Sequence, residues 1–183
     1  GVGSIDTVSA ARTMAFAEGG VVVAVRVGTL DGLGGSGYLR LVQARASGGP
    51  TALDLEVEKP VQTACNEGIR RGIILSDHDC SEGGAAVALL ECCCAGGVGA
   101  TLEVDTPLQP VSWLFSESQS RFVVTLREED LGALEDLAAS RQVRVYALGR
   151  TGGSRLIVGD WIDLGVDEMK AVREEALGRL LKG

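Results

Sequence analysis

The sequence has little positive charge and no long apolar run. It carries 17 Lys and Arg residues against 25 Asp and Glu residues, a formal net charge of −8. Nucleic-acid binding over a broad face depends on clustered Lys and Arg, so no nucleic-acid partner is expected, although one small phosphate pocket remains compatible with this charge. The longest apolar stretch, residues 85–90, is far too short to cross a membrane. The first residues lack the basic start and the long apolar run of a secretory signal. No membrane partner is expected.

The cysteine pattern excludes a disulfide framework and a simple zinc site. There are five cysteines, an odd number, and three of them are consecutive at 92–94. Consecutive residues on a helix point about 100° apart, so these thiols cannot converge on one metal ion. The chain also has no C-x-x-C pair and only one His. We expect small core side chains in a reducing, cytoplasmic environment.

Common catalytic and nucleotide-binding signatures are also missing. No Gly-Lys-Ser/Thr follows a glycine-rich loop, and the G-x-G-x-x-G spacing is absent. No Ser-His-Asp set and no pair of catalytic carboxylates stands out. The sequence therefore predicts no catalytic residue within this chain.

The length and the element pattern favour one α/β (α+β) domain over residues 1–183. Helices are predicted at 7–17, 38–42, 54–71, 85–95, 128–140 and 167–181, and strands at 21–27, 73–75, 98–104, 121–126, 143–148 and 155–158. Residues 106–119 are predicted to be a loop. A turn at residues 152–153 predicts a hairpin, and hence a mixed β-sheet, with helices packed on one side. Pro60 requires the third helix to bend or to begin after Asp54.

The polar segment 76–84 is the strongest candidate for a binding site. It follows an apolar strand and ends at a helix N-terminus, which presents free N–H groups and a partial positive charge. We expect Ser81 and the amides of Gly83 and Gly84 to hold phosphate oxygens. Asp77 and Asp79 could hold Mg²⁺, with Asp79 as the predicted ligand, or accept hydrogen bonds from sugar hydroxyls. Alternatively, Asp79 or Ser81 only caps the helix.

Two further features are weaker candidates. The glycine-rich segment 28–37, with Gly34, Gly35 and Ser36, could form an anion-binding nest or a surface turn. His78, the sole histidine, could be a general base, but a hydrogen-bonded structural role is favoured. Residues 117–121 could form the rim of a pocket or a solvated turn.

Four segments together resemble one known family. They are Leu-Gly-Gly-Ser-Gly-Tyr at 33–38, Ala-Leu-Asp-Leu-Glu at 52–56, His-Asp-Cys-Ser-Glu-Gly-Gly at 78–84 and Phe-Ser-Glu-Ser-Gln-Ser-Arg-Phe at 115–122. In order and spacing they are similar to the C-terminal, AIR synthetase-like domain of the synthetase subunit of phosphoribosylformylglycinamidine synthase. The resemblance extends over essentially the whole chain. It departs at Gly37, where the family usually has Glu, and at Pro60, in a helix that the family keeps regular.

The resemblance implies an ATP-dependent amidoligase of purine biosynthesis. In that family ATP phosphorylates the formylglycinamide oxygen of a ribonucleotide, and ammonia from a glutaminase partner then displaces the phosphate. ATP and Mg²⁺ are the implied cofactors of the full-length enzyme. The catalytic histidine and much of the nucleotide site belong to an N-terminal half, so we expect this chain to be a fragment that needs that half as a partner.

The resemblance also implies which residues face the substrate. Gly34, Gly35 and Ser36 would approach the phosphorylated ribonucleotide, and Asp79, Ser81, Gly83 and Gly84 would line the same cleft. Two other functions stay open. The chain could be a non-catalytic packing domain, or the equivalent domain of a related enzyme such as aminoimidazole ribonucleotide synthetase, selenophosphate synthetase, thiamine phosphate kinase or a hydrogenase maturation factor.

Overall fold

A single mixed sheet organises the molecule. The computed structural model describes residues 7–8, 11–26, 32–43, 48–49, 51 and 53–182. The strands of this part of the chain are β1 (Val21–Arg26), β2 (Ile74–Asp79), β3 (Ala100–Leu102), β4 (Arg121–Leu126), β5 (Arg144–Thr151), β6 (Arg155–Val158) and β7 (Ile162–Gly165). They lie in the order β2-β4-β1-β5-β3-β6-β7. The predicted mixed sheet is therefore confirmed.

Helices cover both faces of this sheet. They are α1 (Gly37–Gln43), α2 (Leu55–Arg70), α3 (Gly84–Gly96), α4 (Pro110–Phe115), α5 (Leu131–Ala139) and α6 (Val166–Lys182). Side chains of α2 and α5 belong to one buried cluster, and side chains of α3, α4 and α6 belong to a second. The expectation that helices pack on one side only is wrong.

Strand β1 explains why the sheet needs two helical layers. It lies in the centre and pairs antiparallel with both β4 and β5. Val22 belongs to the cluster shared with α3, whereas Val23 and Val25 belong to the cluster shared with α2 and α5. Because all three valines are fully buried, an almost wholly apolar strand requires cover on both faces.

The predicted hairpin between the strands at 143–148 and 155–158 does not form. Strand β3 lies between β5 and β6, antiparallel to the first and parallel to the second. Gly99, just before β3, donates its N–H to Gly153 O and accepts from Gly152 N, both at 2.8 Å. The turn therefore wraps around the start of β3 instead of closing two adjacent strands. Strand β7 beyond it pairs with β6 and was not predicted.

The predicted first helix is also wrong where the structure describes it. Residues 11–17 contain no helix, and residues 9–10 lie outside the described part. The segment uses its backbone for tertiary hydrogen bonds instead. Thr13 O accepts from Asp77 N at 3.1 Å, and Phe16 N donates to Cys92 O at 3.1 Å. Phe16 is buried against α3, so packing overrides local helix propensity here.

The remaining elements differ from prediction mainly at their ends. Asp54 caps α2 by accepting from Glu56 N at 2.9 Å, and the helix begins directly after it with Pro60 inside. Helix α4 begins at Pro110 within the segment predicted as loop, since proline suits the first helical position. The strand at 121–126 is confirmed residue for residue. None of the described helices is long and apolar enough to cross a bilayer.

Gly84 is a position where only glycine fits. Its φ is +64°, and an added Cβ would lie 2.7 Å from Leu114 O and 2.8 Å from Ser116 O. We expect Gly84→Ala to lower the free energy of unfolding by about 2 kcal/mol or more, because a left-handed backbone and a close approach are both violated. Urea denaturation measures this loss. The matched control is Gly132→Ala in α5, where an added Cβ has open space around it. This substitution should raise the free energy of unfolding by about 0.5–1 kcal/mol. Equal effects of the two substitutions would show that Gly84 is under no special backbone constraint.

Candidate ligand-binding cavity

The two glycine-bearing segments meet at one cavity of about 650 Å³. Gly34 and Gly35 line it from the segment before α1, and Asp79 and Ser81 line it from the segment between β2 and α3. Helix α2 contributes Glu58 and other polar side chains to the lining. Segments 45 residues apart in the chain therefore share an opening. The predicted nest residues 28–31 lie outside the described part of the chain.

Strand β2 decides which of its polar side chains reach the cavity. It extends through Asp79 because Asp77 and Asp79 pair with Val124 and Phe122 of β4, so the expectation of a loop at 77–79 is wrong. Side chains alternate between faces along a strand. Asp77 and Asp79 therefore line the cavity, and His78 points to the α3 side, where its Nε2 lies 2.8 Å from Glu91 Oε2. That contact supports a structural role for His78.

Glu117 joins the two segments. Its Oε1 accepts hydrogen bonds from Gly37 N at 2.8 Å and from Gly83 N at 2.9 Å. One carboxylate oxygen thus holds the start of α1 against the start of α3. The sequence indicated a pocket rim at 117–121, but nothing in it showed this bridge, because the two amides are 80 and 34 residues away.

Three of the predicted phosphate-binding residues do not face the cavity as expected. Ser36 is buried, and its Oγ accepts from Leu39 N at 3.3 Å, as a helix cap does. Gly83 N is used by Glu117, and Gly84 N donates to Ser81 O at 3.0 Å. None of the three is among the residues that line the cavity. Phosphate binding by them remains a prediction, and it would require these hydrogen bonds to be exchanged.

The two arginines of the cavity wall are already engaged. Arg121 is buried and donates to Ser116 O at 3.1 Å and to Trp113 O at 3.0 Å. Burial lowers the pKa of Arg121 from its ordinary value. Arg40 lies at the exposed rim and forms an ion pair with Glu82. Both positive charges therefore serve contacts within the protein.

Asp77 places a buried carboxylate oxygen beside the cavity. Its Oδ1 is inaccessible to solvent and finds no hydrogen-bond donor among the residues that the structure describes. The pKa of Asp77 is raised to about 6, mainly through desolvation by burial; the nearby Asp79 adds to the rise, and His78 opposes it. The carboxyl is therefore poised to titrate close to neutral pH.

The described residues do not fit a triphosphate or a preformed metal centre. No group of three or more His, Cys, Asp or Glu side chains that could hold a metal ion occurs among them. The main-chain amides of Gly37 and Gly83 and the Arg121 guanidinium are all occupied. Asp79, which accepts from the Ser81 hydroxyl, remains only a predicted Mg²⁺ ligand.

The cysteines are core side chains. All five are buried, as expected for the consecutive set at 92–94. Burial raises the pKa of Cys80 to about 11, so its thiol is protonated at neutral pH and is a poor nucleophile. Cys65, which lines the cavity, has its pKa raised by the same cause.

Comparisons with known proteins agree on one family. The model of the AIR synthase related protein, C-terminal domain, matches residues 17–161. The chain is 43% identical over 141 residues to the phosphoribosylformylglycinamidine synthase subunit PurL of Thermomicrobium roseum, covering 75% of this chain and 19% of the relative. It is 36% identical over 192 residues to PurL of an Anaeromyxobacter species, covering 99% of this chain and 25% of the relative. The chain thus spans only about a fifth to a quarter of these relatives.

Solved structures share the fold. Thermotoga maritima PurL complexed with FGAR superposes with a TM-score of 0.75 at 19% identity, covering 87% of this chain and 29% of that chain. Escherichia coli HypE, a hydrogenase maturation protein, gives a TM-score of 0.54 at 15% identity, covering 85% of this chain and 51% of that chain. At these identities the likeness concerns the fold alone.

Removing the Glu117 carboxylate should loosen the joint between α1 and α3. We expect Glu117→Ala to lower the free energy of unfolding by about 2 kcal/mol, because two amides lose a charged acceptor. Glu117→Gln keeps an acceptor oxygen and should cost less than half as much. Urea denaturation of both variants provides the measurement. Equal losses, or no loss in either, would show that the bridge does not stabilise the fold.

The raised pKa of Asp77 predicts a pH-dependent stability. Between the ordinary value of 3.8 and about 6, the folded chain binds more protons at this site than the unfolded chain. Asp77 therefore lowers stability progressively as pH rises through that window, by on the order of 2 kcal/mol. Asp77→Asn should gain stability relative to wild type between pH 4.5 and pH 7.5, measured by urea denaturation. Glu135→Gln, at an exposed position of α5, is the control; a pH-independent difference for Asp77→Asn would disprove the shift.

Proposed function

The chain belongs to the family of AIR synthase related proteins, C-terminal domain, and from that premise we propose that it is the C-terminal domain of a phosphoribosylformylglycinamidine synthase of the PurL type. Identities of 43% and 36% to PurL subunits support this choice within the family. The likeness to HypE concerns the fold and does not favour a different enzyme. Purine biosynthesis in the cytoplasm is the proposed setting.

The proposed reaction converts formylglycinamide ribonucleotide to formylglycinamidine ribonucleotide. ATP, with Mg²⁺, would activate the amide oxygen as a phosphate ester, and ammonia from a glutaminase partner would displace that phosphate. Structures of Thermotoga maritima PurL with FGAR, with ATP and as PurLQS support the substrate, the nucleotide and a multi-subunit partner for such an enzyme. An N-terminal half would complete the active site.

In the proposed enzyme, this domain would form one wall of the substrate cleft. The observation that carries the proposal is the shared cavity, in which Gly34 and Gly35 meet Asp79 and Ser81. These residues would bind and orient the ribonucleotide. The nucleotide is proposed to lie in the N-terminal half, and no chemical step is assigned to this chain.

A packing domain without a role in binding is the second candidate. It is favoured by the internal use of the Gly37 and Gly83 amides, which a substrate phosphate would otherwise take. In that case the domain would hold its N-terminal half in place, and the cavity would not touch substrate.

A domain exchange tests the proposed function. This chain should replace the matching segment of Thermomicrobium roseum PurL and retain ammonia- and ATP-dependent formation of formylglycinamidine ribonucleotide, whereas the chain alone should show none. In the chimera, Asp79→Ala and Ser81→Ala should each raise the KM for the ribonucleotide about 10-fold, the loss of about 1.4 kcal/mol expected of a polar contact.

The control for the exchange is Glu135→Gln, an exposed position outside the cavity lining. A folded chimera without activity would overturn the assignment to PurL. An active chimera in which both cavity variants keep wild-type KM and kcat would support the packing role and remove the substrate from this cavity.

A further inference from the structure

We infer that the cavity binds the hydrogen-bond-donating part of its ligand, sugar hydroxyl or N–H groups, and leaves the ligand's phosphate to be held elsewhere. This inference rests on the proposed function and specifies the orientation of the ligand within it. It follows from which polar groups of the wall are already engaged and which still face the opening.

The strong donors in and beside the wall already bind within the protein. The amides of Gly37 and Gly83 lie outside the lining itself, and both donate to Oε1 of Glu117, which is a lining residue. The Arg121 guanidinium is buried and donates hydrogen bonds to the main-chain carbonyls of Ser116 and Trp113. A phosphate would have to break these contacts and leave Glu117 without partners, which costs the desolvation free energy of a charged group.

The acceptors of the wall are more open. Asp77 lines the cavity, but its Oδ1 is closed to solvent, so a ligand would meet its other carboxylate oxygen. Asp79 accepts from the Ser81 hydroxyl, and its side chain is 57% exposed. Each ionised carboxylate has about four acceptor sites, so both retain unused capacity toward a ligand.

The charge of the wall points the same way. Five carboxylates line the cavity, against the guanidinium groups of Arg40 and Arg121; they belong to Glu58, Asp77, Asp79, Glu82 and Glu117. An anionic group entering the cavity would meet repulsion from fixed negative charges, whereas a hydroxyl or an N–H would meet acceptors. The neutral side-chain amides of Asn66 and Gln119 also line the cavity, and each can donate a hydrogen bond to a ligand or accept one from it.

The ligand of the proposed function contains two sources of such donors. Its ribose carries hydroxyls, and its formylglycinamide or amidine end carries N–H groups. Both are hydrogen-bond donors that suit Asp77 and Asp79. The proposal therefore specifies a hydrogen-bond donor, and the experiment decides whether it is a hydroxyl or an N–H group. The phosphate at the other end would be bound outside the described residues.

Amide-resolved NMR titration of this chain separates these possibilities. The probes are methyl β-D-riboside for hydroxyls, acetamidine hydrochloride for N–H donors, formylglycinamide riboside for both, and inorganic phosphate. We expect formylglycinamide riboside to shift the amides of Asp77, Asp79 and Ser81, and phosphate to shift none of them. Whichever small probe reproduces those shifts identifies the source.

Variants make the test specific. Asp77→Asn and Asp79→Asn should each weaken binding of formylglycinamide riboside at least 5-fold, and Glu135→Gln should leave it unchanged. Overlay of the variant spectra with wild type checks that each variant is folded; if Asp77→Asn unfolds, Asp79→Asn carries the test. The inference is overturned if phosphate shifts the Gly37 and Gly83 amides more strongly than the riboside shifts Asp77, or if the riboside does not bind at 20 mM.

The outcome is separable from that of the domain exchange. An active chimera with phosphate bound at Gly37 and Gly83 would retain the proposed function and overturn the orientation. An inactive chimera combined with riboside binding at Asp77 would retain the donor-binding cavity and overturn the assignment to PurL.

Discussion

One carboxylate oxygen determines how the candidate site is assembled. Glu117 Oε1 accepts from the first amide of α1 and from the amide that precedes α3, so two helices from distant parts of the chain begin at the same point. Nearby, Arg121 secures the backbone between α4 and β4 through the carbonyls of Trp113 and Ser116. Gly84 allows that backbone to pass closely beneath α3. The opening between the helices exists because these contacts fix its edges.

The same contacts make the site electrostatically unusual for a chain whose relatives handle phosphorylated compounds. Helix N-termini attract anions, but here a side-chain carboxylate takes that place. What remains open toward solvent is acidic. Under the proposed function, this wall would favour hydrogen-bond donors, and the charge that neutralises phosphate would come from another part of the enzyme.

Much of the fold follows from local sequence pattern, and the predictions that are wrong share one physical cause. The apolar run of β1, the Asp54 cap and the strand at 121–126 follow from periodicity and capping. Residues 11–17, the turn at 152–153 and the placement of helices on two faces depend on partners far away in sequence. The site shows the same division. Residue type and resemblance were enough to propose Asp79, Ser81, Gly34 and Gly35 as site residues. Only the folded structure reveals the Glu117 bridge and the buried positions of Ser36 and Arg121.

The segment at 11–17 has a consequence for how the molecule behaves in a crowded solution. Strand β2 ends the sheet, and an uncovered terminal strand offers free backbone groups to any other extended chain. Thr13 O accepts a hydrogen bond from Asp77 N, and Arg12 Nε donates one to Ile74 O. Part of this sheet edge therefore already has hydrogen-bond partners within the chain. The segment that does not form a helix thus leaves fewer free backbone groups at this sheet edge for pairing with another chain.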